Sequence, residues 1–205
     1  AITDEGEGDM LAFLPGAADI ERAAAAVEDA GLPLIVHRLH GQIDPALQRK
    51  ALVRDPDGRR KLILATSIAE TSLTIEGVQI VIDAGLSRRP RFDKAAGIAR
   101  LVTERASQAS ATQRAGRAAR QGPGVAYRLW EAAATAGMPP FDPPEIHEND
   151  LMPVVLDCAS WGIVDARQLG WLDPPSPAAI AEAKARLQAI GALGGDGRIT
   201  GHGKA

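Results

Sequence analysis

The sequence predicts an α/β protein: a parallel sheet flanked by helices, a protruding β-hairpin, and then a small, mostly helical domain. Three observations carry this expectation. Short apolar runs alternate with helix-like stretches over residues 10–85, the rhythm of parallel strands joined by crossover helices. That rhythm breaks at "LSRRPRFDKAAGIARLVTERA" (86–106), where two strand-like pieces flank "DKAAG". From about residue 131 the composition shifts, with the proline-rich "MPPFDPPEI" reading as a linker.

Each element follows from local chemistry. "MLAFLP" (10–15) is a short apolar strand, and "AADIERAAAAVEDAG" has helical composition, an acidic first turn and a terminal Gly31. "LPLIVHRLH" is a strand. "DPALQRKALVR" is a helix with Asp44 as cap and Pro45 at the first helical position. "KLILAT" (61–66) and "VQIVIDAG" (78–85) are buried strands, and "GVAYRLW" is the last one. Ser110 stands three residues before Gln113, and Gly122 precedes Pro123, so a short helix is expected over 111–121. Beyond the linker, "ENDLMPVVLDCASWGI" and "SPAAIAEAKARLQAIGAL" are helical, and "ALGGDGRIT" has the glycine chemistry of a tight hairpin. Helices followed by a small hairpin suggest a winged helix. "GHGKA" reads as the start of a further helix. The domain division expected is 1–138 and 139–205, with the second expected to be truncated.

Composition narrows the function classes. The chain has 205 residues, 45% hydrophobic and 24% charged, with a formal net charge of −3. Its single cysteine, Cys158, excludes an internal disulfide and fits a reducing cytosol. The acidic N-terminus lacks signal-peptide character, and no apolar run approaches the ~20 residues that span a membrane. A cytoplasmic protein without a membrane partner is expected. Trp130, Trp161 and Trp171 are expected as core anchors, and His37 and His40, in H-x-x-H, point to opposite faces of a strand rather than to a metal. No metal site is expected in the chain.

Charge is concentrated. Residues 86–128 hold ten Lys or Arg and two acids, within an acidic protein. Inside this segment, "SQASATQRAGRAAR" (107–120) sets Arg114, Arg117 and Arg120 at steps of three on an Ala and Gly background, with no acid between Glu104 and Glu131. On a helix such steps spread the side chains over about 120° of one face. Arginine binds phosphate through a rigid fork and stays charged at any working pH. The pattern suits a nucleotide γ-phosphate or a nucleic-acid backbone.

Here the sequence resembles the DEAH-box RNA helicases. "QRAGRAAR" (113–120) is similar to their motif VI, "LATSIAETSLTIEGV" (64–78) to motif V, "LAFLPG" (11–16) to motif IV and "LHGQIDPALQRKAL" (39–52) to the adjacent motif IVa. The segments after 142 are similar to the family's winged helix. "GVAYRLW" and the alanine-rich helices lean toward the bacterial HrpB-type branch. The resemblance implies a second RecA-like domain followed by most of a winged-helix domain, preceded in the full enzyme by the first RecA-like domain. It implies ATP and Mg²⁺ as cofactors of the full enzyme and single-stranded RNA as partner.

The resemblance also implies roles. Gln113, Arg117 and Arg120 would reach the γ-phosphate, the last two as arginine fingers. Arg114 is left open between a salt bridge and a phosphate contact. Thr66, Ser67 and Thr71 would touch the RNA backbone, with Ser67 standing where the family usually has Asn. Ser72 would sense the nucleotide, Thr74 and Glu76 would lie near ribose and cleft, and Leu52 would pack on the base. Each hydroxyl has the alternative of a helix cap. Arg88, Arg89 and Arg91 of the hairpin, with Lys94 and Arg100 nearby, would meet RNA, or else bridge to acids of the protein. Ala119 replaces the last glycine of motif VI and is acceptable only with negative φ. Neither G-x-x-x-x-G-K-[ST] nor D-E-x-H occurs in the sequence, so the chain alone is expected to be inactive on ATP. The alternatives are a non-enzymatic nucleic-acid-binding or regulatory module, an HrpA-type relative, or a helicase acting on DNA.

Overall fold

The computed structural model describes residues 7–70, 73–93 and 96–205. The chain divides into two compact units, Ala1–Arg89 with Thr103–Asp142, and Pro90–Val102 with Pro143–Ala205.

The first unit is built on a parallel sheet of five strands in the order β2-β3-β1-β4-β7. Its strands are β1 (Asp9–Phe13), β2 (Ile35–Leu39), β3 (Lys61–Ala65), β4 (Val78–Asp83) and β7 (Val125–Arg128). The central three read as near-continuous apolar runs because both of their faces are covered. Alternate residues serve opposite faces. Met10, Ala12, Leu62, Leu64 and Ile80 pack with Ile20 and Ala24 of α1 (Ala17–Asp29). Leu11, Phe13, Ile63, Ala65 and Val81 pack with Ala51 of α2 (Pro45–Leu52) and with Ala69, Ile75 and Ala118. Asp44 caps α2 as its sequence predicts, accepting from the Ala46 amide at 2.7 Å.

A buried ion pair closes the amino-terminal edge of this sheet. Lys61, at the start of β3, donates through Nζ to the Ala51 carbonyl at 3.1 Å and to that of Val53, at the end of α2. Its backbone amide donates to Asp9 Oδ1 at 2.7 Å.

The hairpin is present as β5 (Leu86–Asp93) and β6 (Ile98–Arg105). Its base, to Arg89 and from Thr103, groups with the first unit, and Pro90–Val102 with the second. Next comes α3 (Gln108–Gly116), which differs from its expectation at both ends. Ser107, not Ser110, is the cap, its Oγ accepting from the Ser110 amide at 3.0 Å. The amides of Gln108 and Ala109 donate to the carbonyls of Pro139 and Pro140, so the first-turn donors are satisfied by a distant segment and the helix starts early. It also ends early. Arg117 and Ala118 donate to residues three back, Arg114 and Ala115, which tightens the chain into turns. The path then needs Gly124: a Cβ there would lie 2.2 Å from the Ala118 carbonyl oxygen and 2.6 Å from that of Gln79.

The second unit packs α5 (Met152–Ser160) on α6 (Pro177–Ala189) around Leu151, Val155, Cys158, Ile180, Ala183 and Leu187. A short α4 (Glu145–Glu148) precedes them. Ser176 caps α6. Leu193 and Ile199 form one antiparallel bridge, and α7 (Gly201–Lys204) follows. Cys158 is free and buried, and burial pushes its thiol pKa up. The tryptophans divide. Trp130 is half-buried and donates to Thr135 Oγ1 at 3.0 Å. Trp171 packs on the second core. Trp161, expected in the core, is 73% exposed: it follows the last turn of α5, past the buried Ala159, where the helix face that meets α6 has ended.

Candidate functional site

The connection from β3 to β4 must cross from the carboxyl edge of the sheet to its amino edge, because the strands are parallel. It does so along the face that holds Phe13 and Leu11, burying Ala69 and Ile75 there, with Ile68 and Leu73 beside them. At the carboxyl edge the Thr66 amide donates to Leu39 O at 3.1 Å, and a 3₁₀ turn covers Ser67–Ala69. Thr66 makes no side-chain cap, and Ser67 is exposed. At the amino edge the Glu76 amide donates to Leu52 O at 2.9 Å, and Glu76 Oε2 accepts from the Arg54 amide at 3.3 Å. Leu52 and Glu76, 24 positions apart, are thus adjacent. Leu52 is half-buried against the core and Thr74 is exposed. Thr71 and Ser72 lie outside the described residues, as does Lys94 of the hairpin.

The three arginines do not share one face. Arg114 is 1% exposed, inside the protein. Its Nε lies 2.8 Å and its Nη2 2.6 Å from Glu70 Oε1. Its Nη1 donates to Asp83 Oδ1 at 2.8 Å and to Leu86 O at 3.1 Å, and Nη2 to Ser87 Oγ at 2.7 Å. The guanidinium also stands 5.1 Å from the centre of the Phe13 ring. Two carboxylates balance its charge, and the fork has no donor left for phosphate. The question left open by the sequence is resolved in favour of the salt bridge.

Arg117 is different. It is 9% exposed, and its acceptors are carbonyls: Glu70 O from Nε at 2.9 Å and again from Nη2, and Leu73 O from Nη1 at 2.7 Å. Among the described residues it has no ion pair, and burial, then the charge of Arg120, lowers its pKa from the usual arginine value, with Glu70 opposing. Arg120 is exposed and lines a small recess with Arg117, Leu11, Ile75 and Val78. The structure brings together Leu52 with Glu76 and Arg117 with Arg120. Gln113 is exposed on α3, and Thr66 and Ser67 sit at the opposite edge of the sheet. Every non-glycine φ among the described residues is negative, so Ala119 meets its condition.

The hairpin arginines pair with acids both inside the hairpin and beyond it. Arg89 lies 3.0 Å from Glu104 and 3.1 Å from Asp142, Arg91 lies 2.7 Å from Glu148, and Arg100 lies 3.4 Å from Asp93. Arg88 is exposed and has no ion pair among the described residues. Glu70 and Asp83 are the site residues that sequence reasoning missed. An arginine in a stretch without a local acid can draw on an acid distant in sequence, and Glu70 is the sole acid between Lys61 and Ile75; that was the available signal for Arg114.

The described residues contain no group of His, Cys, Asp or Glu arranged to hold a metal, and no helix long and apolar enough to cross a membrane.

A family model, the helicase conserved C-terminal domain, matches residues 2–122. The ATP-dependent RNA helicase HrpB of Escherichia coli (strain K12) is 41% identical over 198 residues, covering 96% of this chain and 24% of that protein. The mouse probable ATP-dependent RNA helicase DHX34 is 39% identical over 96% of this chain and 17% of its own length. The Schizosaccharomyces pombe pre-mRNA-splicing factor ATP-dependent RNA helicase prp22 is 35% identical over 98% and 18%. A crystal structure of the E. coli DEAH/RHA helicase HrpB superposes with a TM-score of 0.92 at 40% identity, covering 99% of this chain and 26% of that one. The chain spans a quarter or less of the curated relatives it matches.

Proposed function

The chain belongs to the helicase conserved C-terminal domain family, and we propose that it is the second RecA-like domain, residues 1–138, and most of a winged-helix domain, residues 139–205, of a cytosolic HrpB-type ATP-dependent RNA helicase. One observation carries the reading of the site. Arg114 is neutralised by two carboxylates, whereas Arg117 and Arg120, three and six residues on, have no carboxylate partner among the described residues. Two unneutralised guanidiniums around one recess make a preorganised anion site in a partly desolvated place, where electrostatic attraction is stronger than in water.

In this reading Arg117 exchanges carbonyl oxygens for oxygens of the γ-phosphate, and Arg120 swings in from solvent. Both stabilise charge that spreads over the phosphoryl oxygens in the transition state. Gln113 contributes a neutral donor. Glu76 and Leu52 border the nucleoside end. Mg²⁺ would be held by the first RecA-like domain, where it would offset phosphate charge; the described residues of this chain hold no group of His, Cys, Asp or Glu arranged for it. Thr66 and Ser67 meet the RNA backbone at the far edge, and Arg88 of the hairpin meets it from solvent. Thr71 and Ser72 complete the family pattern.

The test uses the full-length protein. Arg117→Ala or Arg120→Ala lowers ATP turnover by about 10³ or more, while nucleotide-free RNA affinity stays within a factor of about two. Equal losses in turnover and RNA affinity overturn the assignment.

A further inference from the structure

We infer that Asp9 and Lys61 are positioning residues for the nucleoside end of the site, fixing the spacing between Leu52 and Glu76; the inference rests on the helicase reading above. Leu52 ends α2 and Glu76 stands before β4, so no regular element holds one against the other. They are joined directly by the hydrogen bond from the Glu76 amide to the Leu52 carbonyl.

Lys61 holds the Leu52 side. Its ammonium takes the carbonyls of Ala51 and Val53, the residues on either side of Leu52. Three successive carbonyls are thereby engaged, the outer two by Lys61 and the middle one by Glu76. The last carbonyls of a helix have no partner within it, and at Val53 the chain already turns extended, with φ −94° and ψ 158°. Lys61 sets where that turn falls.

Asp9 holds the Glu76 side. Its amide donates to the Gly77 carbonyl at 2.9 Å, next to Glu76. Its Oδ1 accepts from the Lys61 amide at 2.7 Å, and its Oδ2 faces the Lys61 ammonium. The pairing of β1 with β4 shifts register between Asp9 and Met10, which re-aims Asp9. Gly77 permits the approach: its φ is +83°, and a Cβ there would lie 2.7 Å from Asp9 Oδ2. Packing alone does not call for this pair, since apolar residues of similar volume often replace a buried ion pair without loss of stability. Apolar residues cannot hold backbone carbonyls in place. Asp9 and Lys61 are both buried and engaged within the protein, so they act through Leu52 and Glu76.

The experiment replaces the pair in the full-length enzyme, Asp9→Asn with Lys61→Met, and is run well below the melting temperatures of variant and wild type. It reads KM and kcat for ATP and the inhibition constant of inorganic tripolyphosphate, which has the phosphates and no nucleoside. The expected result is a rise of about fivefold to tenfold in KM, less than the ~10²-fold that a misplacement of about 1 Å can cost. The kcat and the tripolyphosphate constant each stay within a factor of about two, the pattern of binding lost equally from ground and transition states. A KM unchanged within about twofold overturns the inference. So does an equal weakening of ATP and tripolyphosphate, which would place the effect at the arginines. If the double variant does not fold, Asp9→Asn alone decides. It keeps an oxygen for the Lys61 amide and drops the charge; KM is expected to rise by about twofold to fourfold, and an unchanged KM overturns. Full-length wild-type protein that hydrolyses no ATP would sink the helicase reading and the inference with it, whereas normal wild-type turnover with an unchanged KM in the variant sinks the inference alone.

Discussion

The Lys61 ammonium lies 3.6 Å from the Asp9 carboxylate, with the lysine side chain 1% exposed. The pair joins the starts of β3 and β1, and the same ammonium satisfies two carbonyls at the end of α2. Breaking a buried pair from one side leaves an uncompensated charge, a loss of about 3–5 kcal/mol. Lys61→Ala is expected to destabilise the protein by that order in urea unfolding. Lys61→Met combined with Asp9→Asn, which removes both charges, is expected to cost less than Lys61→Ala. Equal losses would show that packing, not charge, dominates there.

His37 gives a pH dependence. Burial and, next, the charge of Lys61 lower its pKa, with Asp55 and Asp9 opposing and Lys50 adding to the effect. A histidine whose folded pKa is depressed binds its proton more readily when unfolded. Stability is then full above the ordinary histidine value of 6.5 and falls as the pH drops through it. Unfolding free energy is expected to decline between pH 7 and pH 5, with a shallower decline in His37→Gln. An unchanged slope in that variant refutes the attribution.

The hairpin arginines are expected to separate by role. Arg88→Ala in the full-length enzyme should reduce the slope of log affinity for RNA against log salt by about one, with melting unchanged. Arg89, which is 22% exposed between Glu104 and Asp142, should do the reverse: Arg89→Ala lowers the melting temperature and leaves the slope alone. Exchange of the two phenotypes would mean that the ion pairs of Arg89 open on RNA.

The isolated 205-residue chain is expected to hydrolyse no ATP, with or without RNA. Arginine fingers stabilise a phosphoryl group that other groups must hold and align. RNA-stimulated turnover that survives Arg117→Ala in this chain would defeat the assignment.

Strands and helices were legible because two-face burial leaves continuous apolar runs and because Asp44-Pro45 is a local start signal. The helix carrying the arginines was legible only as a helix. Its true start depends on carbonyls at Pro139 and Pro140, about thirty residues downstream, and its end on turns that tighten at Arg117. The expectation of three arginines on one face failed for that reason. Two of the three turned inward and only Arg120 stayed exposed. The acids that hold Arg114 lie 44 and 31 positions away, and periodicity carries no information about such partners. The sequence could state that the arginines needed an anion; only the fold divides them between protein carboxylates and an open recess.

The crossover from Thr66 to Gly77 is anchored at both edges of the sheet and gripped midway by Arg117 at Glu70 and Leu73. Its span is set by the length of the strands it runs along rather than by its own residues. Such a segment is forgiving in spelling and strict in length. Ser67 can replace a longer side chain there, but one inserted residue would move every later contact out of step with the edge it serves. An insertion along this stretch is therefore expected to disturb the anchors at both ends at once, where a substitution need disturb only one.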